Sequence, residues 1–340
     1  MTPKERMYAT LRGTPRDRVA VTPIFMAWAA HYVGRTYREF YLDGDVLAEA
    51  AMAVTRAFEV DQVSAISDPW REAEGYGMTF DYPDEGVGMP KNHVITSPAD
   101  AAALPRLEVD ACPRMRQRVA SVARMAAEMG STHSILGWVE GPLAEYTDLR
   151  GMSETMMDLM DNPEMFHQAA DRIVDNAVVF ARAQVAAGAD MIGVGDAAAS
   201  LVGPAIYREH VLAWQRKLFE GIHEAGATVK LHICGNIRDI VGLMATTDAD
   251  VIDVDWMVDL AAARAAVGPG VTLCGNIDPS GVVLQGTSET VAAAARKAIA
   301  DGGERFIFMP GCEIPPGTSE ANIRAFCPCE GSLVMDALKL

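Results

Sequence analysis

The chain has 340 residues, 50% hydrophobic and 22% charged, a balance that excludes an intrinsically disordered polymer. Lysine and arginine number 29 against 46 aspartates and glutamates, and the resulting formal charge of −17 repels a phosphate backbone and argues against a nucleic-acid partner. The length suits one α/β barrel domain spanning residues 1–340, since such barrels run to ~250 residues and beyond without dividing.

Met1 leads into Thr2-Pro3-Lys4-Glu5-Arg6 with no apolar segment of a signal peptide behind it, and no apolar run approaches the ~20 residues of a membrane span. A cytoplasmic protein is expected, with its six cysteines kept as thiols. Thr2-Pro3-Lys4-Glu5 predicts a helix start, with Thr2 as N-cap, Pro3 at the first helical position and Glu5 at the third, and this N-terminal helix runs to about Leu11. Eight β-like stretches follow, at 19–24, 62–66, 134–138, 191–194, 228–233, 251–254, 271–273 and 305–308. Ala-rich segments with helical spacing lie between most of them, at 111–129, 162–187, 204–225, 237–246 and 288–301. Between them, residues 68–104 carry Gly75, Gly77, Pro83, Gly86, Gly88 and Pro90, too long and too punctuated for an ordinary connection. An elaborated loop or small hairpin after the second strand, lying over the barrel mouth, is expected there. Regular alternation of strand and helix from residue 131 onward is the pattern of parallel βα units, and eight units predict a (β/α)8 TIM barrel. An open doubly wound sheet is the alternative, but no Gly-x-Gly-x-x-Gly follows the first strand.

The chemistry concentrates in Lys230-Leu231-His232-Ile233-Cys234-Gly235-Asn236. His232 and Cys234 are two apart at the end of a predicted strand, so their side chains point to the same side. Cys312, in Met309-Pro310-Gly311-Cys312-Glu313-Ile314-Pro315-Pro316-Gly317 just after the eighth strand, offers a third ligand. In a barrel both segments end at the C-terminal rim, where active sites are built. An imidazole with two thiolates is a zinc donor set, and three protein ligands leave the fourth position open for catalysis. The alternative from spacing alone is a satisfied core histidine and two small buried thiols.

Thr2-Pro3-Lys4-Glu5-Arg6, Glu140-Gly141-Pro142-Leu143, His232-Ile233-Cys234-Gly235-Asn236 and Pro310-Gly311-Cys312-Glu313-Ile314-Pro315-Pro316 together resemble the uroporphyrinogen decarboxylase superfamily. The closer likeness is to its zinc-dependent corrinoid methyltransferase branch, marked by the His-x-Cys pair and the later cysteine, and it runs along nearly the whole chain. The resemblance implies a (β/α)8 barrel, Zn2+ held by His232, Cys234 and Cys312, and methyl transfer between a small molecule and the cobalt of a corrinoid (cobalamin) carried by a partner protein. The decarboxylases themselves share an Arg-rich segment after the first strand, where they hold tetrapyrrole carboxylates. Here that place reads Phe25-Met26-Ala27-Trp28-Ala29-Ala30-His31-Tyr32 without an arginine, which disfavours porphyrinogen decarboxylation.

Other residues near predicted strand ends are candidates for the site. Glu140, after the third strand, is placed to complete the zinc shell or to move a substrate proton, or else is a surface glutamate at a helix start. Asp196, after the fourth strand, would orient a ligand or cap a helix. Asn276 is taken as a catalytic contact and Asn236 and Asp255 as cofactor contacts, with turn formation as the alternative for strand-end residues of this kind. Met26, Trp70, Trp138 and Tyr146, with Trp28 and Tyr32, form an apolar, aromatic set suited to a ring, which favours O-demethylation of an aryl methyl ether, the methyl passing to Co(I). Methyl transfer from a methylcorrinoid to a coenzyme M-like thiol is the alternative, and a non-catalytic zinc-binding barrel is the third reading. Cys274 and the Cys327-Pro328-Cys329 pair are read as structural.

Overall fold

The computed structural model describes residues 1–339. Eight parallel strands form the barrel wall: β1 (Ala20–Val21), β2 (Gln62–Ser64), β3 (Ser134–Glu140), β4 (Met191–Gly195), β5 (Thr228–Ile233), β6 (Val251–Val254), β7 (Thr272–Ile277) and β8 (Phe306–Pro310). Each pairs with its successor from β2 to β8, and β8 pairs with β1. The remaining seam, between β1 and β2, carries no strand ladder. It is closed by Asp61, whose backbone N–H donates to the Val21 carbonyl at 2.9 Å while its carboxylate accepts from the Val21 N–H at 2.7 Å. All eight predicted strands are present. They read as near-continuous apolar runs because a parallel sheet is covered on both faces, and β3, β4, β6 and β8 are buried throughout.

The helical layer begins with α1 (Pro3–Arg12), whose Thr2 and Glu5 form the reciprocal capping box expected from the sequence. Next come α2 (Gly44–Phe58), capped by Asp43, α3 (Pro113–Met129), α4 (Pro142–Arg150), α5 (Pro163–Ala186), α6 (Leu212–Glu224), α7 (Leu260–Val267) and α8 (Ser288–Gly302). Two helical expectations are corrected. Residues 204–225 are not one α-helix: Tyr207–Val211 adopts wider π-type turns before α6 begins. The segment at 237–246 keeps only Val241–Met244, because the Thr246 and Thr247 hydroxyls take the Leu243 and Met244 carbonyls and end the helix. Within 68–104 the chain forms a two-stranded antiparallel ribbon, Phe80–Asp81 against Met89–Pro90. Among the described residues no helix is long and apolar enough to cross a membrane.

Candidate metal centre

Strand β5 alternates, so Lys230, His232 and, one step past its end, Cys234 share the inward face. Immediately after Cys234 the backbone turns through Gly235 at φ +97°, a conformation that a side chain would oppose. Asp255, just beyond β6, fixes this turn: its carboxylate accepts from the Gly235 N–H at 2.8 Å and from the Met257 N–H at 3.2 Å. From the far side of the barrel, the segment after β8 brings in Cys312. Its sulfur lies 3.8 Å from Cys234 Sγ and 3.9 Å from His232 Nε2, and Nε2 is 2.8 Å from Cys234 Sγ.

These spacings suit zinc. Two sulfurs bound tetrahedrally at ~2.3 Å stand ~3.8 Å apart, and a nitrogen at ~2.0–2.1 Å stands ~3.6 Å from each. The sulfur–sulfur edge matches, and the short His232–Cys234 edge is a hydrogen-bonding distance. Among the described residues, His232, Cys234 and Cys312 are the one such group whose ligand atoms all lie within 4.8 Å of one another. Hydrogen bonding with Cys234 holds the Cys312 thiol well below the ordinary thiol range, and the same bond, aided by burial, raises Cys234. Of the two sulfurs, Cys312 is thus the one favoured as a thiolate. Burial pulls His232 down, but Cys234 and Asp253 outweigh it and hold the imidazole well above its ordinary value.

The wall beside the ligands is Trp138. Its indole lies across β4, where only glycines fit: a Cβ on Gly193 would come within 2.1 Å of the ring, and one on Gly195 within 2.9 Å. The ring centroid is 6.4 Å from that of His232. Indole Nε1 donates to Glu140 Oε1 at 3.2 Å, and Arg71 Nη2 reaches the same oxygen at 3.3 Å. Burial pushes Glu140 well above the ordinary carboxylate range, against the pull of Arg71. Glu145 and Asp148 on α4 are raised by the same burial.

The fold distributes the remaining predicted residues as follows. Asp196 is fully buried and caps a helix, but the one after β3: Oδ1 accepts from the Ala144 N–H and Oδ2 from Gln215, each at 2.7 Å. Asn276 turns into the loop after β6, donating to the carbonyls of Asp255 and Val258. Asn236 is exposed and accepts from the Arg238 N–H in a turn. Tyr146 lies in the helical layer, its hydroxyl donating to Asp158 and its ring edge-on to Phe166, so it does not share the barrel mouth with Trp138. Trp70 packs on Phe80 of the ribbon, Met26 is buried in the core, and Trp28 joins Phe25, Phe58 and Tyr32 in a separate aromatic cluster. Cys274 is fully buried. Sequence reasoning did not single out Lys230, Asp253, Glu145 or Asp148. The signal available for the first two was their inward parity with His232 and Asp255.

The family model described as uroporphyrinogen decarboxylase (URO-D) matches residues 2–329. The chain is 27% identical over 334 residues to the methylcobamide:CoM methyltransferase MtbA of Methanosarcina mazei, covering 96% of this chain and 97% of that protein. It is 30% identical over 298 residues to the uroporphyrinogen decarboxylase of Nocardia farcinica, covering 84% and 82%. Among solved structures, a methyltransferase from Methanosarcina mazei superposes with a TM-score of 0.88 at 24% identity, over 96% of this chain and 97% of that one. With a model matched along almost its full length and a barrel of the same form, the chain belongs to the uroporphyrinogen decarboxylase family.

Proposed function

We propose that this enzyme transfers a methyl group from a methylcorrinoid, carried by a partner protein, to a small thiol held at the barrel mouth. The observation that carries the reading is the His232–Cys234–Cys312 cluster at zinc-ligand spacing. His232 Nε2 and the two Sγ atoms would hold Zn2+, which when bound supplies the Lewis acidity that keeps a thiol as its thiolate near neutral pH. The name of the Methanosarcina relative supports the direction from corrinoid to thiol. The aryl methyl ether reading loses its motive, because the aromatic set that suggested it is spread over the core, the ribbon and the helical layer. Porphyrinogen decarboxylation finds no arginine in the helix Ala27–Tyr32 after β1.

The chain's own groups then have assigned work. Asp255 fixes the turn that carries Cys234, and the Trp138 indole walls the site and excludes water. Glu140, which accepts from the Trp138 indole and Arg71 at the wall of the site, serves to move a substrate proton. Leu201, Trp256 and Met257, exposed in the segments after β4 and β6, give the mouth an apolar rim for the corrinoid-bearing partner.

The test is anaerobic: zinc-loaded protein with methylcobalamin and a panel of thiols, beside Co(I) cobalamin with methoxylated aromatics. Thioether formation that disappears in Cys234→Ala and Cys312→Ala, together with their zinc, is the expected result. Methylation of Co(I) by an aryl ether with no thiol turnover would reverse the direction, and wild-type zinc content in both variants would remove the metal site.

A further inference from the structure

Deep in the barrel beneath the three ligands lies a pair of charged residues that the proposed chemistry does not itself use. The β5–β6 register sets Asp253 directly opposite His232, with both side chains on the inner face. Asp253 Oδ2 stands 3.2 Å from His232 Nδ1 and 3.0 Å from Lys230 Nζ. Asp253 is fully buried, and Lys230 and His232 are nearly so. Lys230 Nζ also contacts Met309 Sδ at 3.2 Å, so the ammonium is held between β6 and β8.

We propose that Asp253, anchored by Lys230, positions His232 as a metal ligand by fixing which ring nitrogen carries the proton. An ammonium can only donate, so the oxygen that faces both it and Nδ1 stays an anionic acceptor within charge-pair reach of the ring. Nδ1 then bears the hydrogen, and the Nε2 lone pair is turned toward Cys234 and Cys312. Partners of this kind orient ligating histidines, and their loss lowers metal affinity ~10–100-fold. Without Lys230 the carboxylate would lose the charged partner that holds it beside Nδ1. Asp253 and Lys230 are accordingly positioning residues. The inference rests on the zinc reading of the cluster.

The experiment measures zinc affinity by chelator competition in the full chain, with the fold of each metal-free protein checked by circular dichroism. Asp253→Asn is expected to lose ~10–100-fold in affinity and to shift the visible absorption of the Co(II)-substituted site, with Lys230→Met changing both in the same sense. Wild-type protein that binds zinc, beside an Asp253→Asn variant within twofold of it and with the same Co(II) spectrum, overturns the positioning role and leaves the metal site standing. Wild-type protein that binds no zinc removes both. Should the variants fail to fold, 15N-histidine spectra of zinc-loaded wild type decide the matter: a protonated Nδ1 with a metal-bound Nε2 at His232 supports the proposal, and a protonated Nε2 overturns it.

Discussion

At the scale of single residues, burial decides what the acids of this barrel can do. Glu140 is under a tenth exposed and burial raises its carboxyl, while its Oε1 accepts from the Trp138 indole and from Arg71. Glu140→Gln keeps an oxygen to accept from Trp138 and Arg71 but cannot exchange a proton, and is predicted to cost ~10²–10⁴-fold, measured as kcat/KM. Wild-type kcat/KM in this variant would leave Glu140 a structural acceptor only. Asp196 is a structural case of the same physics. Burial pushes its carboxyl up from 3.8 to about 6, against the hydrogen bonds it accepts from Gln215 and Ala144. The unfolded chain therefore ionises first as pH rises, and stability falls between about pH 4 and 6 before levelling. The shift corresponds to ~3 kcal/mol from this one group. Urea melts across that range should show the slope in wild type and its flattening in Asp196→Asn.

At the scale of elements, β4 and β5 build the site jointly, one by omission and one by supply. The glycines of β4 leave a slot that the Trp138 indole of β3 fills beside His232. Gly193→Ala should displace the ring and cost ~1–3 kcal/mol in denaturant melts, the usual penalty of overpacking a filled interior. This interplay also explains what could be read from the sequence. The eight strands were legible because covered parallel strands leave apolar runs, and the grouping of His232, Cys234 and Cys312 because strand alternation and the common rim bring them together. Lys230 and Asp253 were not, since their meaning lies in a pairing between strands 23 residues apart that no local spacing reveals. Between β1 and β2 the chain carries Ala27–Tyr32, Tyr37–Leu42 and Gly44–Phe58, where a single crossover helix is the ordinary connection; the sequence reading did not predict them. Asp196 showed its capping role only when the fold set it under a helix from the neighbouring unit.

At the scale of the whole molecule, the barrel depends on one aspartate for closure. Asp61 is fully buried at the β1–β2 seam, where its carboxylate meets the guanidinium groups of Arg6 from α1 and Arg18, at 2.5 and 2.7 Å, besides the Val21 N–H. Asp61→Ala would strand Arg18 and the Val21 N–H together and leave Arg6 with Asp17 alone. A loss of about 3–5 kcal/mol is predicted, read as a lower urea midpoint, with Arg6→Met giving a smaller one because Arg18 still compensates the carboxylate.

His232, Cys234 and Cys312 join two arcs of the wall, and Cys312 follows Cys234 by 78 positions. At ~5–20 residues per second a ribosome needs on the order of 4–16 s to cover that distance. For that interval only His232 and Cys234 of the three have been made. On the proposed function, the full donor set would exist only once β6, β7 and β8 have been made and the last arc brings Cys312 across. Which metal is taken up would then be a question of timing during synthesis as well as of affinity in the finished protein.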